Sequence, residues 1–210
     1  MEGGNAPDLT IEELWKITRI LKRKGVRRVV ELRLDASRTP DPKEQSGIRA
    51  YEGPSGALSA NFNALTFSIC PGKLGHEAKV TTYPSELNIE VNGKILTTQA
   101  ETPEAPSVKP VFEDSKDSKL SLVLGGSINL HAPCQLHSRS VNDPLLYLKM
   151  LFVAMLKNAD IEVERVSYSK TPEELPLFYS HESKPLRQII DDLNHFSTNF
   201  VAEEILGNGH

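Results

Sequence analysis

The sequence lacks the features that mark membrane-spanning or nucleic-acid-binding proteins. Its longest strongly apolar stretch, residues 145–156, is interrupted by Lys149 and is shorter than the ~20 residues that span a bilayer. The first residues contain neither the basic nor the apolar segment of a secretory signal. With 24 Lys and Arg against 28 Asp and Glu, the net charge of −4 gives no general attraction for nucleic acid. We therefore predict no transmembrane segment, no signal peptide in this chain and no nucleic-acid partner.

Cysteine is also scarce. Cys70 and Cys134 are far apart in the sequence and form no C-x-x-C pair, so their spacing leaves open whether they are bonded to each other.

The 210 residues suffice for one large domain or two small ones, and 39% hydrophobic with 25% charged residues is typical of a globular protein. This composition excludes wholesale disorder.

Clear helix signals lie near the amino terminus. Thr10 and Glu13 form a capping box, and Gly25 suits the position that follows a helix. Together they predict a helix over 11–24. The alternating apolar residues of 26–34 then predict a strand.

The carboxy-terminal part contains a second group of helix signals. Asp143-Pro144 combines an N-cap with a proline at the first helical position, and apolar residues continue on nearly all sides to Leu156, as in a buried helix. Residues 161–166 alternate as in a strand. Pro185 begins a further helix, and a last one is predicted over 197–206.

The middle of the chain, about 65–137, is predicted to be rich in β-strands. Asn92-Gly93 and Gly125-Gly126 each follow an alternating run, and both are typical of tight turns, so we expect two hairpins. The proline- and charge-rich residues 101–119 between them are predicted to form a surface loop.

One candidate for serine chemistry is Ser167-Tyr168-Ser169-Lys170, which matches S-x-x-K. In that pattern a lysine on the same helical face takes the proton of the serine hydroxyl. Here the residues continue the strand alternation of 161–166, and residues three apart in a strand face opposite ways. The catalytic interpretation is therefore disfavoured.

A second pattern, S-x-N, occurs at Ser59, Ser127 and Ser197, so chance accounts for at least two copies. Only Ser197-Thr198-Asn199 lies between two helical patterns, where a hydroxyl and an amide can both project into a cleft. On spacing alone, Ser197 acting simply as an N-cap is the more frequent explanation.

Two other groups of residues invite binding hypotheses. His131, Cys134 and His137 are possible metal ligands, but a closed zinc site needs four and no fourth lies nearby in the sequence. The basic run 22–28 could contact phosphate. It is better explained as a helix end that complements the helix dipole, because no aromatic residue is interleaved with it. We predict no metal and no cofactor.

Short segments in one order carry more information than any single motif. They are Glu2-Gly3-Gly4-Asn5-Ala6-Pro7-Asp8-Leu9-Thr10, 14–22, 25–29, 34–38, 51–63, 71–72, 143–144, Ser183-Lys184-Pro185-Leu186, Asn194 and Ser197-Thr198-Asn199-Phe200-Val201-Ala202-Glu203-Glu204. This order resembles that of the low-molecular-mass class C penicillin-binding proteins, which are serine-type D-alanyl-D-alanine carboxypeptidases and endopeptidases of bacterial cell walls. The resemblance covers nearly the whole chain.

The resemblance implies an acyl-serine mechanism in which Ser197 and Asn199 are the candidate catalytic residues. A serine in S-x-x-K attacks the D-Ala-D-Ala amide, Ser197 relays a proton to the leaving amine, and Asn199 holds the substrate peptide and the catalytic lysine. In the family, S-x-x-K precedes the segment like 3–10 and a K-T-G strand follows S-x-N. This sequence contains no Lys-Ser/Thr-Gly. We therefore expect a central fragment of such an enzyme, inactive by itself.

The fold implied by the resemblance is α+β. A β-rich inserted part is expected over 8–140, with a smaller domain nested at about 65–137. A helical return over 141–210 is expected to belong to a transpeptidase-like, β-lactamase-like domain. The implied partners of the whole enzyme are peptidoglycan stem peptides and β-lactams, and the implied location is the periplasm or cell envelope. The alternative is a non-catalytic module that binds peptidoglycan or protein.

Overall fold

The computed structural model describes residues 1–4, 6–38, 54, 56–85, 87, 89–99, 104–113, 119–196, 201, 202 and 205. Over these residues the helices are α1 (Ile11–Arg23), α2 (Pro144–Asn158) and α3 (Leu186–Phe196). The strands are β1 (Arg28–Leu34), β2 (Ala64–Cys70), β3 (Lys79–Tyr83), β4 (Glu90–Gly93), β5 (Leu96–Thr98), β6 (Ser107–Glu113), β7 (Lys119–Gly125), β8 (Ser127–Asn129), β9 (Gln135–Ser140) and β10 (Glu162–Tyr168). The predicted α+β class is confirmed. None of the helices just named is long and apolar enough to cross a membrane.

The chain divides into two compact units. One comprises residues 1–46, 51–63 and 142–210, and the other comprises residues 47–50 and 64–141. The first unit therefore contains α1 and β1 together with all three of α2, β10 and α3. The assignment of 8–140 to an inserted part, and of 141–210 to a transpeptidase-like domain, stays a prediction.

The first unit is built on the parallel pair of β1 and β10, in which Leu32 lies opposite Val166. Helix α2 packs against both α1 and β10. Its N-cap carboxylate, Asp143, accepts a 2.9 Å hydrogen bond from the amide of Leu146. Buried residues lie on nearly all sides of α2, as the sequence predicted; they are Pro144, Leu146, Tyr147, Leu148, Leu151, Phe152, Met155 and Leu156.

Helix α1 also begins as predicted. The Thr10 hydroxyl accepts a hydrogen bond from the amide of Glu13, and Gly25 follows the helix with a φ of +91°. That backbone conformation is open to glycine and strained for other residues. The basic residues Lys22 and Arg23 occupy the last turn, where they complement the helix dipole.

The second unit contains three small sheets, with strand orders β3-β2-β9, β4-β7-β6 and β5-β8. Strands β2 and β9 are antiparallel neighbours, with Ile69 opposite Gln135. A disulfide joins Cys70, at the end of β2, to Cys134, just before β9. The bond therefore links adjacent strands at the same end of their sheet, a proximity that the spacing in the sequence could not reveal.

Both predicted hairpins are wrong. β4 and β5 do not pair with each other: β4 pairs in parallel with β7, and β5 pairs in parallel with β8. Gly93 and Gly126 have φ values of +82° and +84°, and a Cβ on either would lie within 2.4 Å of a backbone carbonyl oxygen. The two glycines thus do adopt the left-handed conformation that their sequence signalled, but each leads its strand from one sheet into the next.

The predicted surface loop over 101–119 is also wrong in part, because it contains strand β6. Pro110 lies within β6 and pairs in register with Leu122 of β7. β6 is an edge strand of its sheet. A proline is tolerated at a sheet edge because its missing N–H breaks no bond to a further strand.

Candidate active-site segment

The candidate catalytic residues Ser197 and Asn199 follow α3 directly and lie outside the described residues. The residues on either side are described and pack together. Ile189 of α3 and Val201 form a buried pair, with Ile205 partly buried against them. Val201, Ala202 and Ile205 are helical, although most of the helix predicted over 197–206 also lies outside the described part of the chain. The motif is thus flanked by two stretches that share one apolar cluster.

Helix α3 begins directly after Pro185, as predicted, and the segment that leads into it is held at the start of α1. The Asp8 carboxylate accepts a 2.8 Å hydrogen bond from the amide of Lys184. The His181 ring lies between two carboxylates, 4.0 Å from Asp8 and 3.9 Å from Glu13. These polar contacts connect residues about 170 positions apart, so local sequence patterns carried no signal for them.

The S-x-N copy at Ser59 forms a structural turn. The Ser59 hydroxyl donates to the carbonyl of Gly56, and residues 61, 62 and 63 all have φ values between +50° and +54°. The Asn61 amide donates to the carbonyl of Leu9 at 2.8 Å. A side-chain hydrogen bond also joins Asn61 to the hydroxyl of Tyr147. Because Tyr147 is fully buried, its pKa lies well above its usual range. The polar groups of this copy are therefore used within the fold.

The copy at Ser127 is also structural. It forms strand β8, in which the Ser127 hydroxyl donates to the carbonyl of Glu104 at 3.2 Å. The Asn129 side-chain oxygen accepts from the amide of His131 at 2.8 Å. The Ser127 hydroxyl thus holds backbone 23 positions away, and the Asn129 oxygen holds backbone two positions away.

Ser167 and Lys170 do not form a catalytic pair on a helix. Ser167 lies in β10, and its hydroxyl donates a 2.7 Å hydrogen bond to the Glu31 carboxylate on β1. Arg165 also donates a hydrogen bond to Glu31. The bond from Ser167, and after it the bond from Arg165, hold the pKa of Glu31 below its usual range. Because Lys170 lies beyond the end of the strand, the arrangement lacks the helical face that S-x-x-K chemistry needs.

The structure also accounts for the possible metal ligands. The sulfur of Cys134 is bonded to Cys70, so it is not available as a thiolate ligand. The His137 ring stacks on Phe67 with ring centres 5.8 Å apart, and burial lowers its pKa. In the described ranges, no three His, Cys, Asp or Glu side chains are grouped as a metal site requires.

Several cations of the basic run 22–28 are engaged, some with residues that are distant in the sequence. The ammonium group of Lys22 lies 3.3 Å from the carboxylate of Asp160, and Arg28 forms an ion pair with Glu164. The Arg27 guanidinium donates to the carbonyl of Lys22 at the helix end. The position of Lys22 and Arg23 in the last turn of α1 agrees with the prediction that the run complements the helix dipole, and the ion pairs of Lys22 and Arg28 join the run to the residues around β10.

The family follows from comparison with known proteins. The chain matches the model of the D-Ala-D-Ala carboxypeptidase 3 (S13) family over residues 1–208. This chain belongs to that family. The family predicted from the order of the short segments is thus confirmed. The match includes all the residues that the structure describes. No curated protein sequence matches the chain.

The fold of this S13 chain resembles that of penicillin-binding protein 4 from Haemophilus influenzae. A crystal structure of that protein matches with a TM-score of 0.74 and 20% identity, covering 98% of this chain and 46% of the other. A second crystal structure of it, complexed with a novel β-lactam, matches with a TM-score of 0.69 and 20% identity, covering 96% and 44%. The S13 chain therefore shares its fold with less than half of that protein.

Proposed function

We propose that this chain is the central portion of a serine-type D-Ala-D-Ala carboxypeptidase that acts on peptidoglycan stem peptides in the cell envelope. The match to the S13 family model over residues 1–208 carries the proposal. The β-lactam bound to the structurally similar penicillin-binding protein 4 supports it, since β-lactams acylate the serine of such enzymes. The nucleophilic serine with its lysine, and the strand that anchors the substrate carboxylate, belong to other parts of the enzyme.

In this proposal Ser197 and Asn199 assist the chemistry without forming the covalent bond. The nucleophilic serine attacks the carbonyl carbon of the penultimate D-Ala, and the amide C–N bond breaks. The lysine takes the proton of the attacking serine hydroxyl, and Ser197 relays a proton from the lysine to the nitrogen of the departing D-Ala, so that its own hydroxyl is restored. Asn199 holds the peptide backbone and the lysine in reacting geometry. Water then hydrolyses the acyl-serine ester and releases the shortened peptide.

Three observations on described residues support this choice of residues. Ser59 and Ser127 use their hydroxyls to bond backbone carbonyls, and Ser167 bonds the Glu31 carboxylate. Ser197 instead follows a helix whose buried Ile189 packs on Val201, just beyond the motif. Packed apolar residues on both sides of a motif suit a site that holds two polar groups in register with a substrate.

The first experiment uses the chain alone. Incubation of residues 1–210 with a fluorescent penicillin is expected to leave the protein unlabelled, because the nucleophile is supplied by another part of the enzyme. A folded chain can be verified beforehand by circular dichroism. Covalent labelling of this chain would contradict the proposal.

The second experiment uses the intact enzyme that contains this chain. The Ser197→Ala and Asn199→Ala variants are expected to be acylated by penicillin roughly a hundredfold more slowly, the usual effect of losing a proton-transfer or positioning group. Ser127→Ala, a copy of the same pattern on β8, serves as the matched control and should retain the wild-type rate. Equal rates in all variants would contradict the assignment of Ser197 and Asn199.

A further inference from the structure

An open groove of about 480 Å³ runs along the exposed side of α1. Its lining consists of Trp15, Lys16, Arg19, Ile20, Lys22 and Arg23. Trp15, the single tryptophan of the chain, is 53% exposed. The guanidinium group of Arg19 lies 5.7 Å from the centre of the Trp15 ring. An aromatic surface therefore does lie beside basic side chains here, although it precedes the basic run in the sequence and is not interleaved with it.

The cations of this α1 groove are not equally engaged. Lys16 is paired with Glu13 at 2.5 Å, and Lys22 is paired with Asp160 at 3.3 Å. Arg19 and Arg23 lie one helical turn apart, and neither has a carboxylate partner among the residues that the structure describes. Two like charges four residues apart on a helix repel each other slightly. An anionic ligand that bridges them removes this repulsion.

We propose that the α1 groove binds a carboxylate-bearing glycan strand of the bacterial cell wall. The guanidinium groups of Arg19 and Arg23 present paired N–H donors that match the geometry of a carboxylate. The indole face of Trp15 and the side chain of Ile20 offer an apolar surface for the flat face of a sugar ring. The choice of a cell-wall strand, among carboxylate-bearing glycans, rests on the proposed function.

The size and charge of the groove favour this ligand over a larger anionic surface. A volume of about 480 Å³ is within the ~300–1,000 Å³ range of sites that hold a discrete ligand. A DNA duplex or an anionic bilayer requires many unpaired cations over a wide face. Among the described residues, two guanidinium groups of the groove, those of Arg19 and Arg23, have no carboxylate partner, whereas Lys16 and Lys22 do, and the chain has a net charge of −4. One or two carboxylates of a single strand satisfy them.

The test is co-sedimentation of the chain with purified peptidoglycan sacculi over a range of protein concentrations. The double variant Arg19→Ala/Arg23→Ala is expected to bind roughly tenfold more weakly, as for the loss of a charge-assisted hydrogen bond, and Trp15→Ala roughly fivefold more weakly. Alanine has the highest helix propensity, so α1 should persist in all variants, and circular dichroism checks this. The double variant Lys73→Ala/Lys94→Ala removes the same charge from exposed positions outside the groove and should bind like the wild type.

Two outcomes would overturn this inference. One is the absence of wild-type sedimentation above that of an unrelated control protein, or equal sedimentation of all variants. The other is stronger binding to anionic phospholipid vesicles or to DNA than to sacculi. Penicillin acylation of the intact enzyme is an independent measurement: the groove variants should acylate at the wild-type rate. An enzyme that is not acylated, while its sacculus binding still depends on Arg19 and Arg23, would refute the proposed function and leave the groove assignment standing.

Discussion

The Ser167 hydroxyl donates a hydrogen bond to the Glu31 carboxylate across the parallel strands β10 and β1. Arg33 and Arg165 converge on the same carboxylate at 3.2 Å. The serine of the S-x-x-K pattern is thus one member of a polar network that joins two strands. Its hydroxyl is engaged with an anion and is remote in sequence from the proposed catalytic motif.

From this network we expect Ser167→Ala to lower the melting temperature slightly and to leave penicillin acylation of the intact enzyme unchanged. Glu31 keeps its two arginine partners in the variant, so the strands stay paired. Acylation rates and thermal melting measure the two effects separately. Ser169→Ala, at an exposed neighbouring position, is the control for the melting temperature. A loss of acylation in Ser167→Ala alone would contradict the structural role.

Asp35 should make the stability of the first unit depend on pH. Its buried carboxylate accepts hydrogen bonds from the amides of Ser37 and Thr171. Burial alone raises the pKa of Asp35, but the hydrogen bonds from Ser37 and Thr171 outweigh it and hold the pKa well below its usual range. The unfolded chain therefore binds the proton more readily, and the free energy of unfolding should fall as the pH drops below about 4.

Urea titrations at a series of pH values test this dependence on Asp35. Asp35→Asn should be less stable than the wild type near neutral pH, because an amide nitrogen replaces one of the two accepting oxygens and cannot accept the hydrogen bond made there. The variant should also lose less stability than the wild type on acidification. An identical pH slope in the two proteins would assign the effect to other carboxylates.

The disulfide should contribute substantially to the stability of the second unit. Cys70 and Cys134 are separated by 64 residues, and loop-closure entropy predicts a contribution of about 4 kcal/mol for a cross-link of that span. The double variant Cys70→Ser/Cys134→Ser should therefore unfold at lower urea concentration. A reductant should destabilise the wild type and have no effect on the variant. Equal stability of oxidised and reduced wild-type protein would contradict this expectation.

Gly93 should tolerate substitution poorly, because of the nearby backbone of Leu124 as well as its own left-handed conformation. A Cβ there would lie 2.3 Å from the carbonyl oxygen of Leu124, whereas nothing lies within 4 Å of a Cβ on Gly75, which has a similar φ of +76°. In both Gly→Ala variants the left-handed conformation should lower the free energy of unfolding by about 1–2 kcal/mol. Gly93→Ala should therefore lower the free energy of unfolding more than Gly75→Ala, and equal losses would exclude the close contact.

The helices were predictable because their signals are local. The Thr10–Glu13 capping box, Gly25 and the Asp143-Pro144 start all act within a few residues of the structure that they determine. The family was predictable because the order of many short segments is specific even where each segment is weak.

The pairing of the strands was not predictable, because it depends on residues far apart in the chain. Gly93 and Gly126 correctly indicated left-handed backbone, but a left-handed glycine fits both a tight turn and a bend between sheets. The choice between the two depends on which distant strand is available as a partner. The Cys70–Cys134 bond and the contact of Asp8 with Lys184 were hidden for the same reason.

In the proposed function, this chain contributes the S-x-N residues of an acyl-serine enzyme, and the nucleophile lies in another part of that enzyme. Mass spectrometry of the penicillin-labelled intact enzyme identifies the serine that carries the penicilloyl group and so tests this division of roles. We expect a single labelled peptide from outside residues 1–210, with labelling slowed by Ser197→Ala. A penicilloyl group on Ser167, Ser197 or any other serine of this chain would contradict it.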